Sequence, residues 1–380
     1  MKRYTLWIVM LSSMLTISSL YITQPAQPLF VKEFGISVTE VTLFTSVVLF
    51  FLAIAPIFYG YWLEKFEVRK ILFISLGIVG ILQCLIAFTQ SFESFLFVRF
   101  LEALVIPAAL TSTLTTLTRE GGGKKYVNIY VASTVFGGVF SRVVGGFLIT
   151  LTSWQITFFL LGVSTLLVAF GAYKMPKSDA KMQANKIKPK DILELFAKPH
   201  YRLLFFGAFV VLFCFHGVLN FLPFEIKKIV QNTTTAEIGF LYLGYMIGIV
   251  AALLSPKISK FFGGDVKAII FGFLVFASAP LLMLVPSFWW TFFSVFVICV
   301  GMFICHSLLS TLVNSFSQEK KGITNGLYLA FYYTGGTIGA TMPSSLYALG
   351  WEVLCIFMSG VLLLSAFLFW YFRKFLVKLG

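Results

Sequence analysis

The sequence predicts an all-α membrane protein of twelve transmembrane helices, arranged as two six-helix halves that repeat in parallel. Three observations predict it. The 380 residues are 59% hydrophobic and only 12% charged, with mean hydropathy +0.93, whereas water-soluble globular proteins carry roughly 25% charged residues. Lipid must therefore be the solvent for most of the surface. Twelve apolar runs approach the length of about 20 residues needed to cross ~30 Å of hydrocarbon. A stretch of the fifth run also recurs in the eleventh.

In chain order the runs are Tyr4 to Gln24, Val41 to Leu63, Ile71 to Phe88, Phe95 to Leu117, Val127 to Leu151 and Gln155 to Tyr173, then Leu203 to Leu222, Ile238 to Leu254, Ala268 to Val285, Trp289 to Leu312, Thr324 to Leu349 and Trp351 to Phe372. Charges, Pro or Gly close each of them. The first run is too long and uninterrupted for a cleaved signal peptide, and no small-residue cleavage site follows it. The longest polar stretch, Lys174 to Arg202, is punctuated by Met175-Pro176, Lys188-Pro189 and Lys198-Pro199. It separates an N-terminal half, 1–175, from a C-terminal half, 203–380, with a cytoplasmic linker, 176–202, between them. Within the linker Asp191 to Ala197 reads either as a short helix on the anionic inner leaflet or as part of a solvated basic segment.

The net charge is +14, an excess that in a soluble protein would suggest nucleic acid. Its distribution argues otherwise. With the N-terminus inside, 24 of the 29 Lys and Arg fall on one side of the spans and only Lys32, Lys227 and Lys228 on the other. Including acids, the inner side carries +16 and the outer side −3, the bias expected of cytoplasmic loops. Both termini are then cytoplasmic, as an even span count requires, and no basic excess is left over for nucleic acid.

Span five reads Tyr130-Val-Ala132-Ser-Thr-Val-Phe-Gly137-Gly138 and span eleven reads Tyr328-Leu-Ala330-Phe-Tyr-Tyr-Thr-Gly335-Gly336, with Tyr, Ala and both Gly matching at an offset of 198. A weaker match pairs Glu64-Lys65-Phe66 with Ser259-Lys260-Phe261. Because spans five and eleven run in the same direction, the repeats are parallel, and substrate is expected between the halves near mid-membrane.

The segment Gly60-Tyr-Trp-Leu-Glu64-Lys65-Phe-Glu67-Val-Arg69-Lys70 resembles the signature of the major facilitator superfamily of secondary transporters between helices two and three, with Glu64 in the usual Asp place and Glu67 where Gly is expected. Arg99-Phe-Leu-Glu102-Ala-Leu-Val-Ile-Pro107-Ala108 resembles the helix-four motif. Gly138-Val-Phe-Ser141-Arg142-Val-Val-Gly145-Gly146 resembles the helix-five motif of exporters without its Gly-Pro step. Together with Tyr21-x-x-Gln24-Pro25-x-x-Pro28 and Glu33-Phe34-Gly35, these resemble the acriflavine-sensitivity type of bacterial inner-membrane transport protein, associated with drug or sugar efflux. The resemblance implies the major facilitator fold and export of a small organic compound by alternating access. It also implies a monomer in the bacterial inner membrane, with lipids and protons as further partners.

An ionisable side chain in hydrocarbon costs roughly 2.5 to 3.5 kcal/mol on insertion scales, so Arg99, Glu102 and Arg142 form a functional-site hypothesis. Arg99 and Glu102, three apart, share a helix face. Glu102 lies ~10 Å and Arg142 ~12 Å below the outer ends of their spans, depths at which the two can pair. The small residues Gly138, Ser141, Gly145 and Gly146 allow the close helix approach this needs. Glu102 is then either a proton-coupling carboxylate poised by Arg99 and Arg142, or half of a permanently ionised brace between helices four and five. Arg142 aligns with Ala340 in the second half, so fold geometry does not demand the charge. His216 and, more weakly, His306 are further proton-relay candidates.

By the same resemblance Tyr21, Gln24, Gln27 and Asn220, near the outer ends of spans one and seven, face the cavity as substrate ligands, or else cap helices broken by Pro25, Pro28 and Pro223. Tyr332 and Tyr333 precede Gly335-Gly336, where a helix can bend at a gate. Gating is assigned to Gly60, Glu64, Lys65 and Arg69 of the inner loop, and to Gly137, Gly138, Gly145, Gly146, Gly335 and Gly336 within spans. The 45 Phe suit either an aromatic cavity or, more simply, a lipid-facing surface. The five Cys lie inside spans without paired spacing and read as packing residues. Arg119-Glu-Gly121-Gly-Gly123-Lys124-Lys125 lacks phosphate-loop spacing. With no metal cluster and no nucleophile beside a base, the sequence points to no enzyme and no cofactor. Export of drug-like compounds is the leading expectation. Uptake or exchange of a small metabolite, including an anion with Arg99 and Arg142 as ligands, is the alternative.

Overall fold

The computed structural model describes residues 3–63, 66–121, 124–176, 189–316 and 321–379. Among these there is no β-strand. The helices are α1 (Arg3–Tyr21), α2 (Gln27–Phe34), α3 (Val38–Leu63), α4 (Val68–Ile86), α5 (Phe92–Gly121), α6 (Lys124–Leu151), α7 (Trp154–Tyr173), α8 (Pro189–Ala197) and α9 (Pro199–Leu219), followed by α10 (Leu222–Ile229), α11 (Thr235–Leu241), α12 (Met246–Phe262), α13 (Asp265–Leu282), α14 (Phe288–Ser315), α15 (Lys321–Thr341), α16 (Ser344–Leu349), α17 (Trp351–Tyr371) and α18 (Arg373–Leu379). A 3-10 turn, Tyr242–Tyr245, joins α11 to α12.

Eleven helical stretches of the described chain are long and apolar enough to cross a membrane. The expected eleventh span corresponds to α15 followed, past Met342-Pro343, by the short α16. Its weaker apolarity follows from Thr324, Asn325, Thr334, Thr337 and the Gly residues it carries. Other spans are interrupted near their ends. The first helix stops at Tyr21, and Pro25 and Pro28 redirect the chain into α2, which Gly35 closes at φ +64 with the left-handed cap that Gly adopts without strain. Pro223 likewise separates α9 from α10. The linker stretch Asp191 to Ala197 is helical, within α8, and its Phe196 packs on Phe205 and Phe331.

The chain divides into two compact units: Met1–Ala184 with Thr233–Leu243, and Asn185–Asn232 with Gly244–Gly380. The small segment Thr233–Leu243, which contains α11, thus belongs with the helices of the N-terminal unit, where it packs on α6.

Polar and apolar faces follow the membrane solvent. Helix α1 turns Tyr4, Trp7 and Leu11 outward and buries Ser12, Ser13, Thr16, Ser18 and Ser19. Hydroxyls of Ser12, Ser13, Thr16 and Ser18 donate to carbonyls one turn back, so burial leaves those groups satisfied. Their small size lets α6 approach closely. A Cβ on Gly137 would strike the Met14 carbonyl of α1, and the Ser18 hydroxyl donates to the Gly137 carbonyl at 3.1 Å. In the C-terminal unit a Cβ on Gly335 would strike the Phe209 carbonyl of α9, and one on Gly339 the Phe213 carbonyl. The Gly pair repeated at an offset of 198 thus marks the same backbone-on-backbone approach in each unit.

Candidate functional site

The first turn of chain after α1 creates the charged centre of the N-terminal unit. A helix end leaves its last carbonyls without intrahelical donors, and here those of Ser19 and Leu20 accept from Arg99 Nη2 at 2.7 and 3.0 Å. Arg99 Nε donates to the Phe44 carbonyl of α3 at 3.1 Å. Its Nη1 meets Glu102 Oε2 at 2.5 Å and the Ser19 hydroxyl at 3.3 Å. Glu102 Oε1 accepts from the Ser19 hydroxyl at 2.5 Å and from Gln83 Nε2 at 3.0 Å, while Gln83 Oε1 accepts from Thr165 at 2.9 Å. Five helices, α1, α3, α4, α5 and α7, are joined through one ion pair that is fully buried. The ion pair of Glu102 is with Arg99, on its own helix, rather than with Arg142 as the matched depths suggested. Helix α6 instead turns Arg142 toward the loop after α1.

Arg142 is also fully buried. Its Nε donates to Gln24 Oε1 at 2.6 Å and its Nη1 to the Gly138 carbonyl at 2.8 Å. The guanidinium carbon lies 3.8 Å from the centre of the Tyr21 ring and 5.0 Å from that of Tyr242, distances at which a cation and an aromatic face attract. Tyr242 reaches Arg142 because α11 sits against α6. A Cβ on Gly239 would collide with the Arg142 carbonyl, one on Gly146 would lie 2.6 Å from the Thr235 carbonyl, and Ala236 N donates to the Thr150 hydroxyl at 2.9 Å. Four of the expected residues therefore meet, Tyr21, Gln24, Gly138 and Arg142, and Tyr242 joins them.

The remaining expected residues lie elsewhere. Gln27 is buried at the start of α2, and Gly145 packs on Ile22. In the C-terminal unit His216 is buried, with Nδ1 3.4 Å from the Leu212 carbonyl. Asn220 donates to the Ala340 carbonyl at 3.0 Å, tying the end of α9 to α15. Tyr332 lies tilted by 32° against His306 with ring centres 4.3 Å apart and meets Tyr333 edge-on, while the Tyr328 hydroxyl lies 2.9 Å from His306 Nδ1. The Gly335-Gly336 step lies inside the continuous helix α15. Of the loop residues assigned to gating, Gly60 falls within α3, and Arg69 reaches the Met175 carbonyl at 2.7 Å and Glu67 at 3.2 Å. Glu64 and Lys65 lie outside the described residues.

Sequence reasoning missed Ser19, Gln83, Thr165 and Tyr242. Gln83 carried a signal, being an amide in the middle of an apolar span that needs buried partners. Ser19 and Thr165 carried none, since hydroxyls in membrane helices satisfy themselves locally.

The model of the Major Facilitator Superfamily matches residues 9–340 and, in a second overlapping match, 229–376. The chain belongs to the Major Facilitator Superfamily. It is thus a multi-pass membrane transporter of small molecules and not an enzyme. Similar major facilitator proteins include the uncharacterised transporter YybF of Bacillus subtilis, 24% identical across 93% of this chain and 90% of that protein. The inner membrane transport protein YnfM of Escherichia coli is 23% identical across 92% of this chain and 86% of its own length. A bacterial homologue of the lysosomal transporter Spinster, solved inward-facing and occupied, superposes with a TM-score of 0.78 at 17% identity, covering 98% of this chain and 96% of that one. That last likeness is of fold.

Proposed function

We propose that the protein is a proton-coupled secondary transporter that exports small organic compounds by alternating access, as a monomer in the bacterial inner membrane with both termini cytoplasmic, in the manner of the drug or sugar efflux proteins it resembles. The observation that carries this reading is the contrast between two buried arginines. Arg99 is ion-paired with Glu102 on its own helix and held by backbone carbonyls, whereas the Arg142 guanidinium lies against the aromatic rings of Tyr21 and Tyr242 and the amide of Gln24. Arg99 thereby serves as a brace between helices. Arg142, Gln24 and Tyr21 are assigned to substrate.

Glu102 supplies the proton site in this reading. Protonating it would remove the charge that Arg99 faces and turn an acceptor of three donors into a donor itself. That change re-sorts bonds to α1, α4 and α5 at once, so a proton and a helix rearrangement become linked. His216 is retained as a secondary relay, and the inner-loop residues and close-packed Gly as gating elements.

A second reading, uptake or exchange of a small anion, is favoured by one feature: the Arg142 guanidinium is framed by aromatic faces and an amide, a setting suited to holding a carboxylate in a low-dielectric site. Arg142 alone would then be the ligand. One experiment addresses both. The purified protein in liposomes with an imposed pH gradient is screened over cationic drugs, sugars and organic anions, beside Glu102→Gln and Arg142→Gln. Gradient-driven flux lost in Glu102→Gln while substrate exchange persists supports coupling through Glu102. If Glu102→Gln retains full gradient-driven flux, that role is abandoned, and flux of anions alone selects the second reading.

A further inference from the structure

The C-terminal unit contains a groove unused by the transport reading. It lies where α9 begins and α17 ends, and encloses about 320 Å³. Its walls include Phe206, Leu368, Phe372 and Phe375. Phe206, Phe372 and Phe375 remain 37%, 41% and 40% exposed, so the trough is apolar and open along its length. His200 and Arg202 line the same groove, and no carboxylate is among the described lining residues.

These two are placed differently. The His200 ring is enclosed by aromatic neighbours, 5.1 Å from Phe316 and 6.3 Å from Phe375 between centres. Arg202 is exposed. Of the neighbouring cations, Lys198 at the N-cap of α9 is not among the described lining residues, and Arg373 is turned away onto α17, donating to the Trp370 carbonyl at 2.7 Å with its guanidinium 4.5 Å above the Trp370 ring. Arg202 is therefore the charge the groove itself presents.

An apolar trough with one permanent cation at its mouth, and no acid to attract an ammonium group, matches a molecule with hydrocarbon tails and a negative headgroup. It also stands on the side where the sequence concentrates Lys and Arg, the side of the anionic inner leaflet. We propose that this groove, between α9, α17 and α18, binds an anionic phospholipid, with its phosphate on Arg202 and an acyl chain along Phe206, Leu368, Phe372 and Phe375. A zwitterionic lipid of the same chain length fills the trough but gains less, because its ammonium group finds no partner there.

Native mass spectrometry of the full-length protein in mixed micelles tests this, with phosphatidylglycerol and phosphatidylcholine of identical chains as probes. Phosphatidylglycerol should be retained about fivefold over phosphatidylcholine, the worth of one surface cation. Arg202→Gln should erase the preference and Arg202→Lys preserve most of it. Leu368→Trp, which fills the trough but keeps the charge, should lower retention of both lipids. Size-exclusion profiles matching wild type establish that each variant is folded. Equal retention of the two lipids by wild type overturns the proposal, as does a preference that survives Arg202→Gln. Displacement of phosphatidylglycerol by millimolar glycerol phosphate, or retention unaffected by Leu368→Trp, would reveal a phosphate site without a lipid trough and equally overturns it.

Discussion

Two arginines at similar burial play different parts because of where their nearest carbonyls lie. Arg99 reaches the C-terminal end of α1, so backbone carbonyls, the Ser19 hydroxyl and Glu102 absorb all its donors, and the cost of burying two charges is offset by bonds rather than by solvent. Removing one member strands the other. Arg99→Ala should therefore lower stability by about 3 to 5 kcal/mol and sharply reduce folded yield. Glu102→Gln leaves Arg99 with neutral partners only, but it keeps the side-chain shape and one acceptor oxygen, so it should cost less than Arg99→Ala, which strands the carboxylate and also opens a cavity. Thermal unfolding in detergent, followed by loss of the monodisperse peak, ranks the two. The opposite order would remove Arg99 from its bracing role. Which of the intramembrane charges pair was not legible in the sequence. The depths of Glu102 and Arg142 matched, but helix rotation, set by the packing of α1 on α6, turned Arg142 toward Gln24 instead.

At the scale of elements, close helix approach is written in small residues, and the repeated Gly pair was readable for that reason. Its meaning was not. A Gly in a membrane helix signals either a bend or a near neighbour, and α6 and α15 pass through theirs as continuous helices. The neighbour reading makes a prediction. Gly335→Val or Gly339→Val drives a side chain into the Phe209 or Phe213 carbonyl of α9 and should destabilise by about 1 to 3 kcal/mol. Gly360→Ala, in α17 with nothing within 4 Å of the added methyl, should be neutral or slightly stabilising. Melting temperatures of the three variants in one detergent decide between them. A tolerated Gly335→Val would mean the two backbones stand further apart than described. Helix α11 shows the limit of the sequence at this scale. Its residues read as the start of the eighth span, yet the 3-10 turn Tyr242–Tyr245 separates α11 from α12, and its close packing on α6 brings Tyr242 to Arg142.

For the whole molecule, the distribution of charge predicts orientation. Cysteine labelling checks it in a variant whose native Cys are replaced. Cys at Glu93 should react with a membrane-impermeant maleimide on intact cells, and Cys at Lys190 only after permeabilisation; the reverse pattern would overturn the assignment of both termini to the cytoplasm. Composition and apolar runs were enough to read the membrane solvent, eleven of the twelve expected spans as long apolar helices, and the superfamily. Those properties are sums over many residues, and such sums survive ignorance of any single contact. Which polar groups meet became visible in the folded chain alone. It joined Ser19, Gln83 and Thr165 to one carboxylate, and it brought Tyr242 to an arginine exactly one hundred residues earlier in the chain. Hydrogen bonds are short and directional, so their partners depend on rotations of a few tens of degrees about each helix axis, and no periodicity in a nearly uniformly apolar chain records those rotations.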